Sequence, residues 1–88
     1  MNTNGTLARS QGTTSSTHLG TGTYEIVFNQ DVTQCTYVAT LGNPGALTPP
    51  AGEIGAASRA GIPDGVFVEN RDSAGAAADR SFHLIVVC

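Results

Sequence analysis

The sequence contains no lysine and no tryptophan, and its aromatic side chains are limited to three Phe and two Tyr in 88 residues. Its four arginines stand against seven acidic residues, so the formal net charge is −3. A chain with so few cations lacks the basic surface that attracts nucleic acid or an anionic membrane. We therefore exclude nucleic acid as a partner.

Long apolar runs are also missing. The longest stretch, residues 82–88, is interrupted by His83 and is far shorter than the roughly 18 residues of a membrane-spanning helix. We therefore expect no membrane insertion. The first residues lack the basic region and apolar stretch of an export signal. Two interpretations therefore stay open: the chain is a whole protein, or it is a domain of a longer protein. We expect a secreted or cell-surface location, with the signal outside this sequence.

The shortage of bulky side chains limits the size of the core. A chain of this length buries only about 60–65% of its unfolded surface, so its stability is marginal. Small domains usually add a disulfide, a metal or partner subunits. We treat residues 1–88 as one domain with a flexible start over residues 1–5.

What is present favours β-structure. Short runs rich in Thr, Val, Ile, Tyr and Phe alternate with Gly and Pro, and no window has a sustained helical period. "TYEIVF" alternates as a half-buried strand does, and Gly20 and Gly22 before it favour a tight hairpin. An edge strand near residues 6–12 and a proline-rich loop near residues 42–53 complete the pattern. We predict an all-β fold, a small antiparallel β-sandwich or jelly-roll-like barrel of about six to seven strands.

The two cysteines fall on core-facing positions of their predicted strands. Cys35 shares a face with Tyr37, and Cys88 shares a face with Val86. This arrangement favours a disulfide, although two buried free thiols are the alternative. Structural zinc is disfavoured because no close pair of histidines accompanies the cysteines.

Two predicted strands are apolar on both faces. His83, Ile85 and Val87 lie opposite the core face of the last strand, and Phe67 stands between two valines. Because antiparallel strands usually present polar residues to solvent, either a partner subunit or a covering loop is expected over these side chains. We favour a homo-oligomer, with these four residues at its interface.

No catalytic constellation is visible. The sequence has no G-x-S-x-G motif, its acids are scattered, and the lone histidines His18 and His83 are better explained as surface or interface side chains. We therefore predict no enzyme activity, no cofactor and no metal site.

The stretch "NRDSAGAAAD" partly matches a calcium loop through Asn70, Asp72 and Gly75. It lacks ligands at Ala74 and Ser81, so we interpret it as a turn whose side chains bond the backbone. The loops around Asn43 and around Asn70 and Asp72 are the candidate ligand loops of an alternative function, the binding of a glycan or surface protein.

The segments "YEIVFNQDVTQC" and "ADRSFHLIVVC" resemble a C-terminal module of bacterial, chiefly actinobacterial, exported proteins of no established activity. The resemblance spans nearly the whole chain and implies that Cys35 pairs with Cys88. The chain is more loosely similar to the β-structured heads of phage tail fibres and collagen-like proteins, which commonly trimerise. We therefore expect a non-catalytic, homotrimerising head domain, with an adhesin-like binding module as the alternative.

Overall fold

The computed structural model describes residues 1–5, 7, 12–43, 45–46 and 50–88. Its regular elements are six strands: β1 (Thr13–Gly20), β2 (Thr23–Phe28), β3 (Thr36–Leu41), β4 (Glu53–Ser58), β5 (Gly65–Arg71) and β6 (Phe82–Val87). All pairings are antiparallel. The predicted all-β, sandwich-like fold is confirmed.

Two sheets make up the fold. The larger has the order β1-β2-β5-β4, and the smaller pairs β3 with β6. The predicted edge strand near residues 6–12 falls largely on residues 6 and 8–11, and the proline-rich loop includes residues 44 and 47–49; these positions lie outside the described residues. No helix that could cross a membrane occurs in the part of the chain that the structure describes.

Alternation along each strand determines which face is buried. In β2, Tyr24 and Ile26 are buried, whereas Glu25 points to the opposite face. Their partners Val68 and Val66 in β5 are also fully buried, because paired residues lie on the same face of a sheet. The inner face of β2 and β5 is therefore apolar at these four positions.

The smaller sheet covers that inner face. Phe82 of β6 is 1% exposed and packs edge-on against Tyr24, with ring centroids 5.2 Å apart. Leu84 and Val86 continue the same face and are partly buried against the core. Val32, in the turn before β3, closes one end and is also fully buried.

The start of the chain, for which we predicted flexibility, makes contacts with both sheets. Met1 is 8% exposed and belongs to the core cluster. The backbone nitrogen of Met1 donates to the Phe82 carbonyl at 2.7 Å, and the Phe82 N–H donates to the Met1 carbonyl at 3.0 Å. Ser16 Oγ of β1 donates to the Gly5 carbonyl at 2.6 Å. Residues 1–5 therefore link β6 of one sheet to β1 of the other.

A disulfide joins Cys35 to Cys88, as predicted. Cys35 directly precedes β3 and Cys88 directly follows β6, beside the strand pair Thr36 and Val87. A two-stranded sheet is only marginally stable by itself. The bond therefore fastens one end of the smaller sheet covalently.

Candidate functional site

The outer face of the smaller sheet is the most distinctive surface of the described structure. It consists of six side chains, three from each strand, which we call the uncharged face: Thr36, Val38, Thr40, His83, Ile85 and Val87. The register brings Val38 opposite Ile85 and places Thr36 opposite Val87. This face contains no acid, lysine or arginine.

Its apolar members are open to solvent. Val38 is 55% exposed, Ile85 61% and Val87 58%. Single exposed apolar residues are common on protein surfaces, but a contiguous group marks an interaction surface. Three of the four predicted interface residues, His83, Ile85 and Val87, thus lie together on an exposed face.

His83 forms one end of this face. A Cβ added at Gly42 would lie 2.2 Å from His83 Cδ2, so the imidazole covers the Gly42 backbone. A larger side chain at residue 42 would require the exposed His83 ring to move.

Phe67, the fourth predicted interface residue, is not part of the uncharged face. It lies in β5 of the larger sheet, opposite Glu25 and Ala57, and is half-buried. The guanidinium of Arg59 is 6.0 Å from its ring centroid, and Arg59 Nε donates to Glu25 Oε2 at 2.9 Å. Phe67 is therefore separated from the other three predicted interface residues, because β5 and β6 belong to different sheets.

Asn70 is not a loop residue. It is the sixth residue of β5 and is 0% exposed. Its Nδ2 donates to the Arg80 carbonyl at 2.8 Å, and its backbone N–H donates to the Gly22 carbonyl at 2.6 Å. Asn70 therefore lies inside the fold, where it hydrogen bonds to the β1–β2 turn and to the segment before β6.

Asp72 and Asn43 are both tied to their own turns. Asp72 Oδ1 accepts hydrogen bonds from the Ala74 and Ala76 N–H groups at 2.9 and 3.0 Å. Asn43 Oδ1 accepts from the Gly45 N–H at 2.8 Å. The Asp72 bonds agree with our interpretation of this stretch as a turn with side-chain to backbone bonds, although its first two residues, Asn70 and Arg71, belong to β5.

A polar cluster around Asp79 was not predicted. Asp79 Oδ1 accepts hydrogen bonds from His18 Nε2 at 2.8 Å, the Gly22 N–H at 2.7 Å and the Tyr24 hydroxyl at 3.3 Å. The His18 ring stacks on Tyr24 with centroids 4.9 Å apart. Asp79 and His18 are 61 positions apart in the chain, so no local pattern could have indicated this contact.

The cluster shifts two ionisation equilibria. The hydrogen bond from the Gly22 backbone, with smaller contributions from His18 and Tyr24, lowers the pKa of Asp79 against a weaker opposing effect of burial. Burial, followed by the charge and hydrogen bond of Asp79, raises the pKa of Tyr24 to about 12. At neutral pH the cluster therefore holds an ionised Asp79 and a neutral Tyr24.

The same cluster also reaches the start of the chain. Among the described residues, the His18 ring hydrogen bonds to Asp79. The Tyr24 hydroxyl donates to the Thr3 carbonyl at 2.7 Å. The cluster thus fastens the β1–β2 turn and the start of the chain to the segment before β6.

A cleft lies on the outer face of the larger sheet, between β4 and β5, and was also not predicted. It has a volume of about 410 Å³. We call it the β4–β5 cleft, and its lining residues include Glu53, Gly55, Ala57, Phe67, Glu69 and Arg71.

Comparison with known proteins adds no relative: no family model, no curated protein and no solved structure matches this chain. The expected resemblance to a C-terminal module of exported proteins stays a prediction. The fold and its surfaces define the chain as a small, disulfide-linked, antiparallel all-β module.

Proposed function

We propose that this chain is a non-catalytic assembly module that associates with further copies of itself through the uncharged face. The observation that carries the proposal is the juxtaposition of Val38, Ile85 and Val87, each more than half exposed, on one small sheet. Burying such side chains on association releases roughly 25 cal/mol per Å² of apolar surface.

Charge favours the smaller sheet over the larger one as the surface for self-association. Copies of a chain with a net charge of −3 repel one another at long range. The uncharged face lets two copies approach without pairing like charges, whereas the outer face of the larger sheet carries Glu25, Glu69 and Arg71. Self-association is therefore easiest through the smaller sheet.

A homotrimer is the assembly that we favour, in the role of a head domain of a secreted or surface protein. The disulfide supports an oxidising compartment outside the cytosol, where such bonds persist. The small core supports subunit association as a second source of stability.

The test compares the mass of the native protein in solution with that of two matched variants. We expect multi-angle light scattering to show an oligomer for the wild type and a monomer for Ile85→Lys, because a desolvated ammonium at the interface is costly. Leu19→Lys is the control, since Leu19 is also exposed, at 42%, but lies in β1. It makes the same change in charge and should leave the oligomer intact.

A wild-type monomer at micromolar concentration would contradict the proposal. An Ile85→Lys variant that keeps the wild-type mass would place the interface on a different surface. Both variants should show wild-type circular dichroism, which confirms that a change in mass does not reflect unfolding.

A further inference from the structure

The β4–β5 cleft exists because β4 has small residues where its neighbour has large ones. Gly55 is paired with Glu69, and Ala57 is paired with Phe67. A Cβ added at Gly55 would have no heavy atom within 4 Å, so the space above this residue is open. The cleft volume of about 410 Å³ lies within the range of roughly 300–1,000 Å³ found for small-molecule sites.

One end of the cleft contains the aromatic ring of Phe67, with a guanidinium over it. Phe67 lines the cleft, and Arg59 lies 6.0 Å from its centroid. The ion pair of Arg59 with Glu25, at 2.9 Å, restrains the guanidinium. An aromatic ring has a negative face, which attracts the weakly positive C–H groups of a sugar ring.

Further along β5, on the same face as Phe67, is a pair of planar polar groups. Arg71 pairs with Glu69, and Arg71 Nη1 also donates to the Gly75 carbonyl at 3.0 Å. The guanidinium has five N–H donors and the carboxylate is an acceptor, so together they match hydroxyl groups, which both donate and accept. Because these side chains already have partners that orient them, they lose less conformational entropy when a ligand binds.

The charge of the cleft selects among sugars. Glu53 lies at the Arg71 end, opposite it in the strand register, and its carboxylate makes no ion pair with the described residues. Two acids and one arginine leave a net negative charge, on a chain that is itself acidic. A uronic or sialic acid would be repelled, whereas a neutral ring would not.

From this geometry we propose that the β4–β5 cleft binds a neutral sugar residue of a glycan, with Phe67 against one face of the ring and Arg71 and Glu69 bonding its hydroxyls. This site lies on β4 and β5 rather than in the loop around Asn43, and it adjoins the Asp72 turn through the bond from Arg71 to the Gly75 carbonyl. It also lies on a different sheet from the uncharged face, so binding and self-association are independent.

The experiment screens neutral oligosaccharides by saturation-transfer NMR against the native protein, with a sialylated oligosaccharide and a lysine-rich peptide in the same panel. We expect binding of at least one neutral sugar with a dissociation constant of about 1 mM or lower. Amide shifts in a titration should be concentrated in β4 and β5.

A variant that fills the cleft tests where the sugar binds. Gly55→Gln fills the cleft without backbone strain, because Gly55 has no positive φ and no neighbour near its Cβ. It should weaken binding at least about tenfold. Ser15→Gln adds the same side chain at an exposed position of β1 and should bind as the wild type does. Phe67→Leu, which keeps an apolar side chain in β5, should also weaken binding.

Several outcomes would overturn the proposal. They are the absence of binding to every neutral sugar, binding restricted to the sialylated sugar or the peptide, and equal affinity in Gly55→Gln and the wild type. Measuring the same sugar against Ile85→Lys separates this proposal from the previous one, because a monomeric variant should retain the cleft and its affinity.

Discussion

Removal of the Cys35–Cys88 bond should cost this domain a large share of its stability. The bond closes a loop with a sequence separation of 53 residues. In the chain-entropy account, a loop of this length corresponds to about 4 kcal/mol at 25 °C. A domain of this size is expected to have a total stability of roughly 4–13 kcal/mol, so the reduced form would be near its threshold.

The assay is urea unfolding followed by circular dichroism, with the oxidised protein compared with the same protein kept reduced. A loss of about 4 kcal/mol at a slope near 1 kcal/mol per M moves the midpoint down by several molar, and the melting temperature should fall by roughly 15–30 °C. The double variant Cys35→Ser with Cys88→Ser should behave as the reduced protein does.

A loss below about 1 kcal/mol would refute the reasoning. It would mean that the unfolded chain already keeps β3 and β6 close together, so that the bond removes little entropy. The single variant Cys88→Ser is a further check, since it should match the double variant if the bond, rather than either side chain, provides the stability.

Two further predictions concern the β1–β2 turn and its partners. Gly22→Ala should destabilise the fold by about 2 kcal/mol or more, since Gly22 has a φ of 74° and an added Cβ would lie 2.4 Å from the Asn70 carbonyl oxygen. The control is Gly55→Ala, which adds a Cβ in open space and should change stability by less than about 1 kcal/mol. Equal effects of the two variants in urea unfolding would contradict the close approach of Gly22 to Asn70. The lowered folded-state pKa of Asp79 stabilises the fold above the ordinary carboxyl pKa, and this contribution is lost as the pH falls through the folded value. The melting temperature of the wild type should therefore fall more steeply between about pH 5 and pH 2 than that of Asp79→Asn, and parallel curves would show that the Asp79 bonds are not maintained in solution.

The two proposed roles, self-association and sugar binding, involve different surfaces: the uncharged face and the β4–β5 cleft. The first lies on the smaller sheet and lacks charge, whereas the second lies on the larger sheet and combines an aromatic ring with charged groups. Because the sheets pack through their inner faces, substitutions on one outer face are expected to leave the other intact. The two proposals can therefore be tested separately in one set of variants.

Local patterns in the sequence determined much of the fold. The alternation in "TYEIVF" and "SFHLIVVC" is a property of neighbouring residues, because successive side chains of a strand point to opposite faces. It was sufficient to predict the bond between Cys35 and Cys88 and to place Ile85 and Val87 outside the core, as the structure has them. Cys35 packs against the core, whereas Cys88, after the end of β6, is exposed. The shortage of bulky residues likewise indicates a small core, because few large side chains are present to fill one.

Only the tertiary structure decided which strands are neighbours. The contact of His18 with Asp79 depends on the turn and the segment before β6 meeting in space, 61 residues apart. The burial of Asn70 also depends on strand pairing. Its local sequence is typical of a turn, but Asn70 pairs with Ile54 of β4 and so extends β5. The β4–β5 cleft depends on a register that sets Gly55 beside Glu69. Strand pairing of this kind is a long-range choice among many registers, and the sequence around each residue does not contain it.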